Sequence, residues 1–149
     1  MLAALKNLLE EIVPQEPPRH QALPLRLAAA VLLMEVMRAS DGLSPEEKAA
    51  ASRALVDQFG AGEPEASVLL ARAEHESRIA YDYFRFTNPL DEQLPHECKV
   101  ALVEAMWKVA YADGHLDGAE NAVISKVADL LHVPHGDYIA AKMRAKPRD

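Results

Sequence analysis

Leu25-Arg26-Leu27-Ala28-Ala29-Ala30-Val31-Leu32-Leu33-Met34-Glu35-Val36-Met37-Arg38-Ala39-Ser40 is apolar on almost every side of a helical projection. A helix without a polar face is a buried one. Arg26 and Glu35 interrupt the run, which is in any case too short to cross a bilayer. A second stretch, from Pro95 to Asp113, has the same character through Val100, Leu102, Val103, Met106, Trp107, Val109 and Ala110. Two central helices, each enclosed by the rest of the chain, are therefore expected.

Working outward, every other segment reads as helix. Ser44-Pro45-Glu46-Glu47 restarts the chain, and a helix runs to about Phe59, where Gly60 and Gly62 stop it. Pro64 opens a stretch through Val68, Leu69, Leu70 and Ala73. It continues, with room for a break, through Ile79, Tyr83 and Phe84, and ends before Asn88-Pro89. Asp117 to Leu131 follows, and Pro134 opens a last helix through Tyr138, Ile139 and Met143. No segment alternates with period two between hairpin turns. The predicted class is all-α, with about seven helices. That number includes residues 1–13, where Leu2, Leu5, Leu8, Leu9 and Ile12 recur at helical spacing before Pro14, Pro17 and Pro18. The expected division is residues 1–21, an amphipathic helix with a Pro-rich linker, and residues 22–149, the helical domain.

Composition narrows the function classes. The 149 residues carry 16 basic and 23 acidic side chains, a net charge of −7, with no long Lys/Arg cluster. A nucleic-acid surface needs cations to displace counterions, so no nucleic-acid partner is expected. An acidic surface suits cations or a basic face on a partner. Cys98 is the single cysteine, so neither an internal disulfide nor a Cys-x-x-Cys site can form. The opening Met1-Leu2-Ala3-Ala4-Leu5-Lys6 lacks a signal-type basic and apolar succession, so a cytoplasmic protein is expected. Residues 1–13 have two readings, a helix packed on the body or on a second copy, and a peripheral membrane anchor. Anchors carry Lys/Arg on the polar face, whereas this one carries Lys6 with Glu10 and Glu11.

The two buried helices end alike. Val36-Met37-Arg38-Ala39-Ser40-Asp41-Gly42-Leu43-Ser44-Pro45-Glu46-Glu47 parallels Val109-Ala110-Tyr111-Ala112-Asp113-Gly114-His115-Leu116-Asp117-Gly118-Ala119-Glu120, with one residue fewer in the first loop once the Asp-Gly pairs are superposed. Two helical hairpins related by a pseudo-twofold are the expected arrangement. Ser44-x-x-Glu47 and Asp117-x-x-Glu120 fit capping boxes, and Gly42 and Gly114 suit helix ends. Capping leaves Asp41 and Asp113 unexplained, because an acid at a helix C-terminus faces the negative end of the dipole. A cation would compensate. Carboxylates with loop carbonyls suit Ca²⁺ or Mg²⁺, held by few protein ligands plus water, since the spacing does not match an EF-hand.

At these loops the sequence resembles the TerB family, the tellurite-resistance-associated TerB-like domains, over roughly residues 22–145. Ala39 to Lys48 resembles that family's first acidic loop and Val109 to Glu120 its second. Tyr83-Phe84-Arg85-Phe86-Thr87 and Val127-Ala128-Asp129-Leu130-Leu131-His132-Val133 are similar to a bacterial TerB-like branch. The resemblance implies an all-helical domain with internal pseudo-symmetry and an acidic, divalent-metal surface made of Asp41, Glu46 or Glu47, Asp113, Asp117 and Glu120. This chain departs from the family in having Ala119 where an acid is common, and Asn121 after Glu120. TerB-like domains also occur as modules in other proteins, including DnaJ-type co-chaperones.

The remaining polar residues have plain roles. Glu35 has Arg38 one turn on, and Glu104 has Lys108. The six histidines form neither His-x₃-His nor His-Glu-x-x-His. His115 stands beside the acidic loop. Trp107 and Met106 read as core, and Cys98 as buried or half-buried. No phosphate loop or nucleophile motif is present. The leading expectation is a non-enzymatic TerB-like module in a bacterial stress complex of the tellurite-resistance type. It would bind a divalent cation through Asp41, Glu47, Asp113, Asp117 and Glu120, with a protein partner or a second copy. One alternative is an interaction domain whose acidic loops are only helix caps. Another is a metal-dependent hydrolase using Asp113 and Glu120.

Overall fold

Ten of the fifteen residues of helix α1, Leu25–Ala39, are buried, as its apolar circumference requires. In the computed structural model, residues 24–39, 43–79 and 82–147 are described, apart from the side chains of 78 and 79. Six further helices follow α1 among them: α2 Pro45–Phe59, α3 Glu63–Ile79, α4 Phe84–Gln93, α5 His96–Tyr111, α6 Gly118–Leu130 and α7 His135–Ala145. No strand occurs among the described residues, so the chain is all-α. The helix expected over residues 1–13 and its linker lie outside the described residues. Seven helices nevertheless remain, because residues 63–93 make two helices.

The division of that stretch corrects the expected stop at Asn88-Pro89. Both residues lie inside α4, which starts where the Phe84 N–H donates to Asp82 Oδ1 at 3.0 Å. An interior proline removes one backbone bond and costs about 3 kcal/mol. Phe86 and Leu90, flanking Pro89, are fully buried, and each such side chain returns about 1.5–3 kcal/mol. Tertiary burial thus outweighs the local breaker.

α1 packs against α2, α3, α4, α5 and α6, while α5 packs against α1, α2, α6 and α7. The two buried helices are in direct contact, as expected. Each packs most extensively on a peripheral helix, α1 on α3 and α5 on α7. Arg26 fastens one end: its Nε and Nη2 donate to the carbonyls of Phe59 (2.7 Å) and Gly60 (3.3 Å), closing α2, while Nη1 pairs with Glu65 at 2.8 Å. Gly60 adopts φ 69°, the left-handed conformation that glycine accepts without strain. Farther along α1, the buried Ser77 hydroxyl of α3 donates to Glu35 Oε2 and accepts from Arg38 Nη1 at 2.8 Å. Glu35 and Arg38 are 3.9 Å apart, so the expected pair is joined by a hydroxyl that their spacing did not reveal.

At the opposite side, α7 rests on α5 through aromatic contacts. Trp107 is fully buried, with the Tyr111 and Tyr138 rings at 6.2 and 5.4 Å and the Lys142 ammonium 5.0 Å from its ring centre. Glu104 binds Lys108 at 3.5 Å and also Arg144 of α7 at 2.6 Å. Cys98 is exposed, contrary to expectation. It lies in the first turn of α5, where His96, Glu97 and Cys98 all face solvent before the helix enters the core at Leu102. No described helix is long and apolar enough to cross a membrane.

Candidate functional site: two buried glutamates at paired helix starts

α2 packs on α5 and α6 packs on α1, and the Glu47 carboxyl at the start of α2 meets the Glu120 carboxyl at the start of α6, with Asp113 of the loop after α5 close enough to act on both. Glu47 and Glu120 each occupy the third position of their helix, and both are buried, at 0% and 1% exposure. Their helices place them identically. Glu47, Ala51, Ala54 and Leu55 are the buried residues of α2, and Glu120, Ile124, Val127 and Ala128 those of α6. Both sets follow i, i+4, i+7, i+8 spacing, the inward stripe of a helix. That spacing is present in the sequence and marks both glutamates as inward-facing, whereas their capping pattern suggests the surface.

The caps themselves differ. In α6 the box is complete: the Glu120 N–H donates to Asp117 Oδ1 at 2.8 Å, and the Asp117 N–H donates to Glu120 Oε1 at 3.2 Å. In α2 the Glu47 N–H donates to Ser44 Oγ at 3.0 Å, but no well-formed return bond from the Ser44 N–H to the Glu47 carboxyl closes the box. Both Glu47 carboxyl oxygens and Glu120 Oε2 are buried. Three carboxyl oxygens are therefore removed from water, and the donor that the Glu47–Glu120 contact offers is a proton carried by Glu47 and shared with Glu120. A buried charge in that condition is expensive, and the group takes up a proton or meets a cation. Burial, reinforced by the neighbouring Glu120 carboxyl and by the charge of Asp113, pushes Glu47 up to about 8; the Ser44 backbone amide opposes the rise. Burial also raises Glu120, against the opposing amide of Asp117. The positive ends of two helix dipoles offset part of this cost.

A family model described as "Tellurite resistance protein TerB" matches residues 26–143, well over half of the chain. The chain belongs to the TerB family. Comparison with curated proteins and with solved structures gives no match.

Within this TerB domain the expected acids separate into distinct positions. Asp41 lies outside the described residues. Glu46 is exposed, Asp117 is an exposed N-cap, and Asp113 is half-buried in the loop after α5. Asp113 has a local role that capping logic did not supply: its Oδ1 accepts from the His115 N–H at 3.0 Å, in a turn where Gly114 takes φ 86°. His115 itself is exposed. Among the described residues, no three His, Cys, Asp or Glu side chains are grouped so as to hold a metal ion. What the TerB fold brings together is narrower: Glu47 and Glu120, with the charge of Asp113 acting on both.

Proposed function

We propose that this TerB domain is a non-catalytic module that binds a divalent cation where α2 and α6 begin, within a stress-related complex of the tellurite-resistance type. The observation that carries the reading is the pair of buried, mutually facing carboxyls of Glu47 and Glu120, which a cation would bridge in place of a shared proton. Oxygen donors of this kind suit Ca²⁺ or Mg²⁺. Glu47 and Glu120 would be the inner ligands, Asp113 and Asp117 the outer acids, and Asp41, from outside the described residues, a further ligand. The reciprocal packing of α2 on α5 and of α6 on α1 also supports the internal repeat.

Calorimetric titration with Ca²⁺, Mg²⁺, Mn²⁺ and Zn²⁺ tests the reading. Binding heat and a rise in thermal midpoint are expected with the parent protein, and both should vanish in Glu47→Gln/Glu120→Gln. A second reading, an interaction domain whose acids serve as caps, draws support from the complete Asp117–Glu120 box. Absence of heat and of any midpoint shift at millimolar cation would select it.

A further inference from the structure

α6 and α7 border an open groove of about 590 Å³ on the flank of the bundle, within the size range of small-molecule sites. Its floor is apolar and buried, at Ala128 and Val133. Its walls are polar. Asn121, Ser125 and Asp129 stand four residues apart on one row of α6, with Lys126 beside them, and border the groove together with His135 and Tyr138 of α7. The Ser125 hydroxyl is hydrogen-bonded to the Tyr138 phenol, and the His135 and Tyr138 rings lie 5.9 Å apart.

Two opposite charges on the α6 wall are left open. Lys126 and Asp129 are three residues apart on one helix, yet they form no ion pair with each other or with any other described residue. Elsewhere in the bundle such spacings close, Glu35 with Arg38 at 3.9 Å and Glu104 with Lys108 at 3.5 Å. In both closed pairs the acid precedes the base, the order that a helix favours; in Lys126–Asp129 the order is reversed. Asp129 also stands in the last turn of α6, which holds no basic residue, so its carboxylate meets the negative end of the helix without compensation. An ammonium group there would supply it. Lys126, one turn away, offers a cation to a carboxylate. A simple anion is repelled by Asp129 and a simple cation by Lys126, whereas a molecule carrying both charges satisfies both. We infer that the α6–α7 groove binds a small zwitterion, from a free amino acid to a dipeptide, with its ammonium on Asp129, its carboxylate on Lys126 and its side chain against the His135–Tyr138 ring pair.

Titration of the isotope-labelled full chain with L-phenylalanine, L-lysine, L-glutamate and glycyl-L-phenylalanine, followed by backbone amide shifts, tests this. At least one of them should shift the amides of Ser125, Lys126, Asp129 and Tyr138 saturably at millimolar concentration. Its N-acetyl form and its methyl ester should each bind several-fold more weakly. Asp129→Asn should weaken the zwitterion several-fold and leave the N-acetyl form unchanged; Lys126→Gln should do the same with respect to the ester. Both positions are exposed, so neither substitution should move the thermal midpoint. Absence of saturable shifts with all four probes, shifts confined to another face, or equal binding of the zwitterion and its blocked forms would overturn the proposal.

Discussion

The starts of α2 and α6 are written in nearly the same residues and used differently. At α6 the Asp117 carboxyl and the Glu120 carboxyl each satisfy the other residue's backbone N–H. At α2 the Ser44 hydroxyl satisfies Glu47, and the Glu47 carboxyl is left facing Glu120 and Asp113. The same short pattern therefore yields a closed cap in one place and an available buried acid in the other. A capping motif fixes where a helix begins; it does not fix where the third-position glutamate spends its oxygens. The packing of α2 on α5 and α6 on α1 decides that.

The largest effect expected from this asymmetry is on pH dependence. Glu47 titrates near 8 in the folded protein, above its ordinary range, because its charged form is disfavoured there. Above the unfolded pKa the unfolded chain releases that proton while the folded chain still holds it. The Glu47 contribution to metal-free stability is therefore full below about pH 4.5 and is lost as pH rises toward 8, by up to about 1.4 kcal/mol per pH unit. Glu47→Gln should flatten the slope and be more stable than the parent at pH 8, as read from urea midpoints across that range. A parent midpoint that rises from pH 5 to 8 would place the charge elsewhere.

A smaller effect separates the caps. Asp117→Ala should cost about 0.5–2 kcal/mol with or without cation, since it removes the cap and leaves the Glu120 N–H without its acceptor. Ser44→Ala should cost less within the same range, because a neutral hydroxyl rather than a carboxylate is lost from the positive end of the helix. Equal losses in chemical denaturation would mean that the charge of the Asp117 cap contributes nothing beyond a neutral acceptor.

The smallest effect is at Asp113. Asp113→Asn keeps an oxygen for the His115 N–H while removing a negative charge from the end of α5. Metal-free stability should rise by about 0.3–1 kcal/mol. Cation heat should be lost in calorimetry if Asp113 belongs to the site; an unchanged titration would remove it from the ligand set.

Much of this organisation was legible before any coordinates. The apolar circumference of Leu25–Ala39 required burial, Gly60 ended α2, and Asp117 opened α6. The errors share a physical origin. Asn88-Pro89 read as a stop because the cost of proline is local, while the compensating burial of Phe86 and Leu90 depends on α4 lying against α1. Cys98 read as buried or half-buried, although the first turn of its helix projects beyond the core. Composition and capping logic marked the acids but could not distinguish the surface carboxylate of Asp117 from the buried one of Glu47. Helical phase could, since Glu47 and Glu120 stand on the same stripe as Ala51 and Ile124.

The placement of Trp107 has a practical consequence. It is the only tryptophan in the chain, it is fully enclosed, and part of its enclosure is Tyr138 and Lys142 of α7. The indole is thus a native optical gauge for the attachment of the last helix. Detachment of α7 would hydrate the ring and move its emission to longer wavelength, while loosening confined to the α1–α3 contact would leave the signal unchanged. Unfolding followed by fluorescence beside far-UV dichroism would then show whether the α5–α7 flank gives way together with the rest of the bundle or ahead of it.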